Sequence, residues 1–306
     1  MLGELTDGTS IARAGFAFVL WVGGCARDSA LPFATDDAMV ARVADAATAG
    51  DLAIRPDLAD LTILPDLQLA CGAGQVRVPG GAFFMGASDL RNVGQGSAPV
   101  HRVVLSTYCL DQTEVTVAAY RVCVDAGVCG APDGKNNSPL CNWPIAGRDD
   151  HPVNCVDWTQ ADAYCRFAGR MLPTEAQWEY AARYSDERDY PWGNTAPANQ
   201  LCWSGGGGAA AATCPVGSHP AGDTALGIHD MAGNVWEWVA DWLDVYQADP
   251  VTDPTGPQSS PFQAHADRGG AFNVSDPVAV RAAERDGSLT LRRIYTMGFR
   301  CAGLLR

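Results

Sequence analysis

The sequence predicts an α+β domain with short sheets, few helices and much irregular loop, stapled by disulfides. Alternating apolar residues separated by glycines between residues 76 and 105 are typical of short strands. Helical spacing with capping residues appears from Thr116 onwards. Beyond Tyr190 the chain is rich in Gly, Ala, Pro and Asp, which favours turns, and eleven cysteines supply candidate cross-links.

The first predicted strands lie close together in the chain. Residues 76–86 predict a strand, a turn at Pro79-Gly80-Gly81 and a second strand. Residues 100–105 (VHRVVL) alternate in the same way and predict another strand. These short segments favour small sheets over one large sheet.

Three helices are predicted from apolar spacing and from caps. Residues 116–126 predict a helix with apolar residues on one face. Asp157 caps a second predicted helix, which ends at Gly169. Thr174 caps a third, and Gln177, three residues further on, completes a capping box.

Charge and cysteine usage exclude several classes of protein. The formal net charge is −14 and the isoelectric point is near 4.6, so the surface repels phosphate backbones and anionic lipids, and no nucleic-acid partner is expected. The chain has no CxxC and no HExxH, and its five histidines are scattered, so we expect no zinc site. Disulfides formed in an oxidising compartment explain the cysteine count better.

The first 25 residues predict a signal peptide with a lipobox. Residues 14–24 (AGFAFVLWVGG) form an apolar stretch too short to span a bilayer. The stretch leads into Val22-Gly23-Gly24-Cys25, which resembles a bacterial lipobox with Cys25 as the lipidated residue. The protein is then an extracytoplasmic lipoprotein of the outer membrane or periplasm, with membrane contact only through its lipid anchor. The alternative is an ordinary signal peptide and a secreted protein.

Residues 26–70 predict a disordered acidic tether. Ala and Asp dominate this segment, and Phe33 is its only aromatic residue. Such a composition cannot bury enough apolar surface to offset the entropy of ordering. The folded domain is therefore expected over residues 71–306, beginning at Cys71.

Four blocks of the predicted domain carry a family resemblance. In order they contain VPGG with MG, HPV with MLPTEAQWEY, DMAGNVWEW, and RGG with GFRC, at residues 78–86, 151–180, 227–238 and 268–301. Together they resemble the formylglycine-generating enzyme, or sulfatase-modifying factor, family over residues 77–302. The resemblance implies a fold similar to a C-type lectin-like domain.

The third block also predicts a calcium site. Two carboxylates, Asp230 and Glu237, flank a glycine-containing turn, and calcium prefers such a mixture of carboxylate and backbone oxygens. The resemblance implies that the ligands are the Asp230 and Glu237 side chains and the carbonyls of Gly233 and Val235. The alternative is a capped turn in which Glu237 is hydrogen-bonded or salt-bridged.

The resemblance also implies one disulfide, between Cys165 and Cys301. A second family disulfide would need cysteines near Ala182 and Ala282, and neither position has one. The remaining pairs are proposed only because they are close in sequence or are left over: Cys202–Cys214, Cys141–Cys155, Cys123–Cys129 and Cys71–Cys109.

The catalytic feature of the family is missing. The aerobic enzymes that the chain resembles hold copper(I) with a cysteine pair a few residues after the Gly-Gly, because copper(I) requires soft sulfur ligands. Here Gly269-Gly270 precedes residues 271–281, which contain no cysteine, histidine or methionine. We therefore expect no copper.

Two functions remain. The first is a non-catalytic binding or scaffolding protein, whose partner is an unknown protein or small-molecule ligand at the cell envelope. The alternative is an oxidoreductase or protein-modifying enzyme of the same family with an altered active site. Asp276, Glu284 and Arg285 would then act as acid, base and anion clamp, although such charges are more often solvated or ion-paired. A groove near Trp236 and residues 271–285 would favour ligand binding.

Overall fold

A computed structural model describes residues 70–88, 97–132, 138–206 and 210–306. All of them belong to one unit, residues 65–306. The predicted signal peptide with Cys25, and residues 26–69 of the predicted tether, lie outside the described residues. Ala70 and Arg306 exchange two backbone hydrogen bonds, of 2.8 and 3.1 Å, which bring the two ends of the described chain together.

The described strands form three small sheets, in which most neighbours are antiparallel. The strands are β1 (Gln75–Val78), β2 (Gly81–Met85), β3 (His101–Leu105), β4 (Tyr108–Asp111), β5 (Trp236–Trp242), β6 (Val251–Thr252), β7 (Ala264–Arg268), β8 (Arg285–Leu289), β9 (Met297–Phe299) and β10 (Ala302–Gly303). The sheet orders are β1-β4-β10, β2-β3-β6 and β8-β7-β5-β9, and the pairs β3/β6 and β5/β9 are parallel.

Three α-helices begin directly after Thr116, Asp157 and Thr174, and the last two of these are the predicted caps. They are α1 (Val117–Asp125), α2 (Trp158–Phe167) and α3 (Glu175–Arg183), and each cap side chain accepts a hydrogen bond from a backbone N–H in the first turn of its helix. Both α2 and α3 have complete capping boxes. Short 3₁₀ helices span Tyr184–Asp186, Pro220–Gly222 and Pro277–Val280.

Two main apolar clusters meet at the four-stranded sheet. The first packs α3 residues such as Trp178 and Tyr180 with Val239 of β5. The second packs Tyr120 of α1 and Tyr164 of α2 with β9. The fold class is confirmed: short sheets, few helices and long loops.

Five disulfides cross-link the domain. Cys165 of α2 is bonded to Cys301 after β9, with an S–S distance of 2.01 Å. This bond closes the longest loop of the five, across a sequence separation of 136 residues. The other pairs are Cys71–Cys109, Cys123–Cys129, Cys141–Cys155 and Cys202–Cys214.

The largest sheet was not predicted. Turns and loops do make up most of the described chain after Tyr190, but the expectation did not include β5, β7, β8 and β9, which form from residue 236 onwards. All five residues of β7, which include His265, Asp267 and Arg268, are buried. The strand therefore lacks the apolar-in, polar-out alternation from which strands are recognised.

Candidate functional site

The turn at residues 230–237 leads directly into β5. Its backbone is left-handed at Asp230 (φ 54°), Gly233 (φ 79°) and Asn234 (φ 56°), a conformation uncommon for residues other than glycine. Asp230 Oδ2 accepts the N–H of Gly217 at 2.5 Å. Asn234 Oδ1 accepts the N–H of Cys214 at 3.0 Å, so the loop closed by the Cys202–Cys214 disulfide supports the turn.

Glu237 lies at the end of this turn and is fully buried. Arg300 donates to both of its carboxylate oxygens, each at 2.7 Å, and Trp178 donates its indole N–H to Oε2 at 2.8 Å. Burial alone would lower the pKa of Arg300, but Glu237 raises it above its ordinary value, so the Arg300 guanidinium stays charged. Both hydrogen bonding and a salt bridge thus hold the Glu237 side chain.

A second buried carboxylate, Glu114, lies beside this pair. Only 1% of Glu114 is exposed, and no other residue in the described ranges forms a hydrogen bond with either carboxylate oxygen. Burial raises its pKa well above the usual value, and the nearby Asp230 carboxylate raises it further, as does Glu237, whereas Arg300 lowers it. Glu114 therefore lies close to two other carboxylates and to the Arg300 guanidinium.

This turn has the carboxylate and backbone oxygens that calcium prefers, but both Glu237 oxygens already accept hydrogen bonds from Arg300 and Trp178, as in the alternative to the calcium site. Glu114 is a buried carboxylate close to Asp230, and it adds a further oxygen donor near the turn. Among the described residues, no backbone hydrogen bond of the surrounding loops ends on the carbonyl of Gly233 or Val235. The described residues contain no group of three or more acidic, histidine or cysteine side chains that could hold a metal ion, so a calcium site here would depend on the two carbonyls.

Glu114 was not selected from the sequence, and Arg300 was named only as part of the GFRC block. Glu114 is far from the third block in the chain, and only the fold brings it beside Asp230. One sequence feature could have indicated Glu114: it is a carboxylate between strand β4 and the apolar start of α1, and a carboxylate that is buried there requires a partner.

Helix α3 carries a second buried network of charges. Arg285 donates to both oxygens of Glu175, each at 2.7 Å, and Arg268 donates to Glu175 at 2.9 Å. Arg268 also donates to Glu179 at 2.8 Å. Glu175 and Glu179 are four residues apart, so they share one helix face, and that face is fixed to β7 and β8.

The expected catalytic set around residues 271–285 is not assembled. Arg285 is buried against Glu175 of α3, whereas Asp276 is exposed and caps the 3₁₀ helix through a 2.9 Å bond from the N–H of Val278. The two residues therefore serve separate structural roles. The expectation that Asp276, Glu284 and Arg285 act together as acid, base and clamp is not supported.

A cavity in the described part of the domain also lies away from the expected groove. A cavity of about 500 Å³ opens beside the start of α3 and the segments after β5 and β6. Neither Trp236 nor any residue of 271–281 lines it. Arg285 is the one lining residue that comes from the 271–285 segment.

Comparison with known proteins identifies the family. Residues 65–304 match the family described as "Sulfatase-modifying factor enzyme 1-like domain". The chain belongs to this family. The formylglycine-generating enzyme of Streptomyces coelicolor is 35% identical to it over 283 residues, covering 75% of this chain and 88% of the relative. The hercynine oxygenase of Mycolicibacterium smegmatis is 28% identical, covering 81% of this chain and 65% of the relative.

Solved structures share the fold of this sulfatase-modifying factor domain. Treponema denticola variable protein 1 superposes with a TM-score of 0.60 at 22% identity, covering 75% of this chain and 94% of that protein. PvdO from Pseudomonas aeruginosa gives a TM-score of 0.57 at 25% identity, covering 76% and 94%.

The cross-links of this family member indicate where it folds. Five disulfides in one domain are typical of a protein from an oxidising, extracytoplasmic compartment. None of the helices in the described ranges has the length and apolar composition needed to cross a bilayer.

Proposed function

We propose that this protein is a non-catalytic binding or scaffolding member of the family, displayed outside the cytoplasm. One observation carries the proposal. Every cysteine from Cys71 to Cys301 is in a disulfide, so the folded domain has no thiol to offer a metal.

Copper(I) binding of the kind implied by the resemblance needs two thiolates close together. Disulfide sulfurs are neutral and weak ligands, and residues 271–281 supply no other soft ligand. The residues present therefore do not fit copper(I). The buried charge networks around Glu237 and along helix α3, in contrast, are formed, which favours a fold that is retained for binding.

The alternative is a protein-modifying enzyme with an altered site. The observation that favours it is the similarity to named enzymes, above all 35% identity to the formylglycine-generating enzyme of Streptomyces coelicolor. Such an enzyme would need a reaction without copper thiolates. The described loop at 271–281 presents no assembled acid–base pair, so we rank this function second.

Copper binding tests the observation that carries the first proposal, the absence of thiols that could hold copper(I). One portion of the full chain carrying Cys25→Ser would be alkylated without reduction to count free thiols, and a second, unalkylated portion would be titrated with copper(I) against a chromogenic chelator. The formylglycine-generating enzyme of Streptomyces coelicolor, reduced beforehand, serves as the positive control. We expect no alkylated cysteine and no stoichiometric copper in this protein; one equivalent of tightly bound copper(I) would refute the proposal.

We also propose a structural calcium ion in this domain. The Asp230 and Glu237 carboxylates and the carbonyls of Gly233 and Val235 would hold it, and Glu114 adds negative charge beside them. The ion would neutralise this buried charge and fix the left-handed turn at the start of β5. Its role is stability, since a hard cation with oxygen ligands supplies no redox chemistry.

The proposed attachment to the envelope is through lipid on Cys25. The lipobox-like sequence before Cys25 supports it, and Cys25 is the one cysteine left over when the other ten are paired. Labelling of cells with a clickable fatty acid tests this: the native chain should carry label and Cys25→Ser should not. Label-free native protein in the culture medium would indicate the secreted alternative.

A further inference from the structure

The cavity beside α3 has the size and walls of a small-molecule site. Its volume of about 500 Å³ lies within the range of ligand pockets. No residue of the loop 271–281 or of the turn 230–237 lines it, so it is separate from both sites discussed above. Its apolar walls come from Met85, Trp242, Val245, Val251, Pro254 and Pro257.

Arg285 and Glu175, which line the cavity, are already paired with each other. Arg285 and Glu175 form two hydrogen bonds of 2.7 Å, and Arg285 donates a third to the carbonyl of Asp244 at 2.7 Å. The Tyr246 ring covers the Arg285 guanidinium, with 4.2 Å between the guanidinium carbon and the ring centroid. This pair therefore offers a ligand little net charge.

Asp241, which also lines the cavity, differs from that pair. Only 5% of Asp241 is exposed, and its Oδ2 accepts the N–H of Glu175 at 2.8 Å. Among the described residues, no hydrogen bond ends on Oδ1 and no ion pair includes Asp241. Gly256, another lining residue, approaches so closely that a Cβ there would lie 2.6 Å from Oδ1. The carboxyl oxygen without a partner is therefore at the cavity wall.

We propose that this cavity binds a small organic cation whose ammonium or amidinium group pairs with the Asp241 carboxylate. The apolar body of the ligand would pack against Trp242 and the two prolines, and aromatic rings of this kind also attract cations. The inference goes beyond the proposed function, because it does not depend on whether residues 271–281 are catalytic. A buried carboxylate without a cation is costly, and the ligand removes that cost.

Proton release should accompany binding. Burial and the negative charge of Glu175 raise the pKa of Asp241 to about 7, against the opposing effects of Arg285 and Arg268. His101, Asp244 and Tyr246 are the other titratable groups that line the cavity. Because the cation binds the ionised form of the Asp241 carboxylate, the affinity of the protein for the cation should rise by about tenfold between pH 6 and pH 8.

The test uses calorimetric titration of the full chain at pH 8 with three probes of similar shape. They are the cation 2-phenylethylammonium, the neutral 2-phenylethanol and the anion phenylacetate. We expect saturable one-site binding of the cation, at least about tenfold tighter than the alcohol, since a charge-assisted bond exceeds a neutral one by this much. The anion should show no binding.

Variants assign the binding to this cavity. Asp241→Asn keeps an acceptor for the N–H of Glu175 and should abolish the preference for the cation. Val245→Trp should block the cavity from its rim, because Val245 is 54% exposed, without changing the charged groups. Val122→Trp, at a valine of α1 that is 60% exposed, is the matched control and should bind the cation normally.

Three results would overturn the inference. They are equal or tighter binding of the alcohol or the anion, undiminished binding of the cation to Asp241→Asn or Val245→Trp, and no saturable binding of the cation at pH 8.

Discussion

Trp178 donates its indole N–H to Glu237 at 2.8 Å, in the interior of the domain. This one bond joins the second sequence block to the third, and Arg300 joins Glu237 to the fourth. Glu179 accepts the N–H of Gly86 at 2.8 Å, which adds the first block. The four blocks that identify the family therefore meet in a buried network of charges and hydrogen bonds. The blocks therefore contribute to the buried core of the fold, and this contribution does not depend on the copper-binding cysteines.

Breaking the Glu237–Arg300 pair should be strongly destabilising. Glu237→Gln removes the carboxylate that accepts two hydrogen bonds from the buried Arg300 guanidinium, so we expect a loss of about 3–5 kcal/mol in the free energy of unfolding. Asp162→Asn, which removes the exposed pair with Arg166, is the control and should cost less than about 0.5 kcal/mol. Urea unfolding of both variants measures the difference; equal losses would show that the network is not a framework.

Calcium should stabilise the protein in a way that depends on Asp230. Removal of calcium by chelation leaves the carboxylates of Glu114, Asp230 and Glu237 to repel each other, so the melting temperature should fall and recover when calcium is restored. At a calcium concentration 100 times the Kd, the stabilisation is about 2.7 kcal/mol. Asp230→Asn should lose this response, whereas the exposed control Asp125→Asn should retain it. An Asp230→Asn protein that still responds to calcium would exclude this site.

Asp267 should make stability fall as pH rises. Burial raises its pKa to about 8, and the neighbouring Asp286 charge contributes in the same direction, so the folded state holds a proton that the unfolded state loses near pH 4. Between about pH 4 and pH 8 the folded state binds more protons, and stability therefore decreases with pH across that window.

Asp267→Asn should remove this dependence and stabilise the protein at pH 9 by a few kcal/mol, on the order expected for a large pKa shift. Denaturant unfolding of the native protein and the variant at pH 5, 7 and 9 gives the difference directly, and subtraction cancels the titration of other groups. A difference that does not change with pH would show that Asp267 titrates normally.

The long-range disulfide should contribute more than the short one. Loop-closure entropy gives about 5 kcal/mol for Cys165–Cys301 and about 2 kcal/mol for Cys123–Cys129, although the other cross-links reduce the first figure. All four cysteines are buried, so replacing either pair by alanine loses similar packing. In guanidinium unfolding without reductant, the free energy of unfolding of the Cys165→Ala/Cys301→Ala variant should be lower than that of the Cys123→Ala/Cys129→Ala variant by at least about 1 kcal/mol. The reverse order would contradict the entropic account.

The sequence predicted the locally encoded parts of the fold. Helices α2 and α3 start where Asp157 and Thr174 cap them, because a cap depends on residues only three positions apart. Strands β7 and β8 were missed because their polar residues are satisfied from a distance. Arg268, for example, bonds Glu175 across 93 residues, and no pattern within either segment records this.

The residues of the candidate sites also include some that the sequence predicts and others that only the fold brings together. Asp230 and Glu237 lie in one short block and could be selected from sequence, since both flank a single turn. Glu114 and Arg300 complete the charge at that turn from positions that only the fold makes adjacent. Asp241 was missed for another reason: an unpaired carboxylate is recognised by what does not contact it, and contacts are not visible in sequence.

The most direct test of the central claim is turnover. The full chain would be supplied with copper(I) and a cysteine-containing sulfatase-type peptide in air, and the peptide mass would be followed beside the formylglycine-generating enzyme of Streptomyces coelicolor. Our account predicts an unchanged peptide with this protein and conversion with the control enzyme. Conversion of the peptide cysteine to formylglycine by this protein would contradict it, and would show that the family reaction proceeds without the missing thiols.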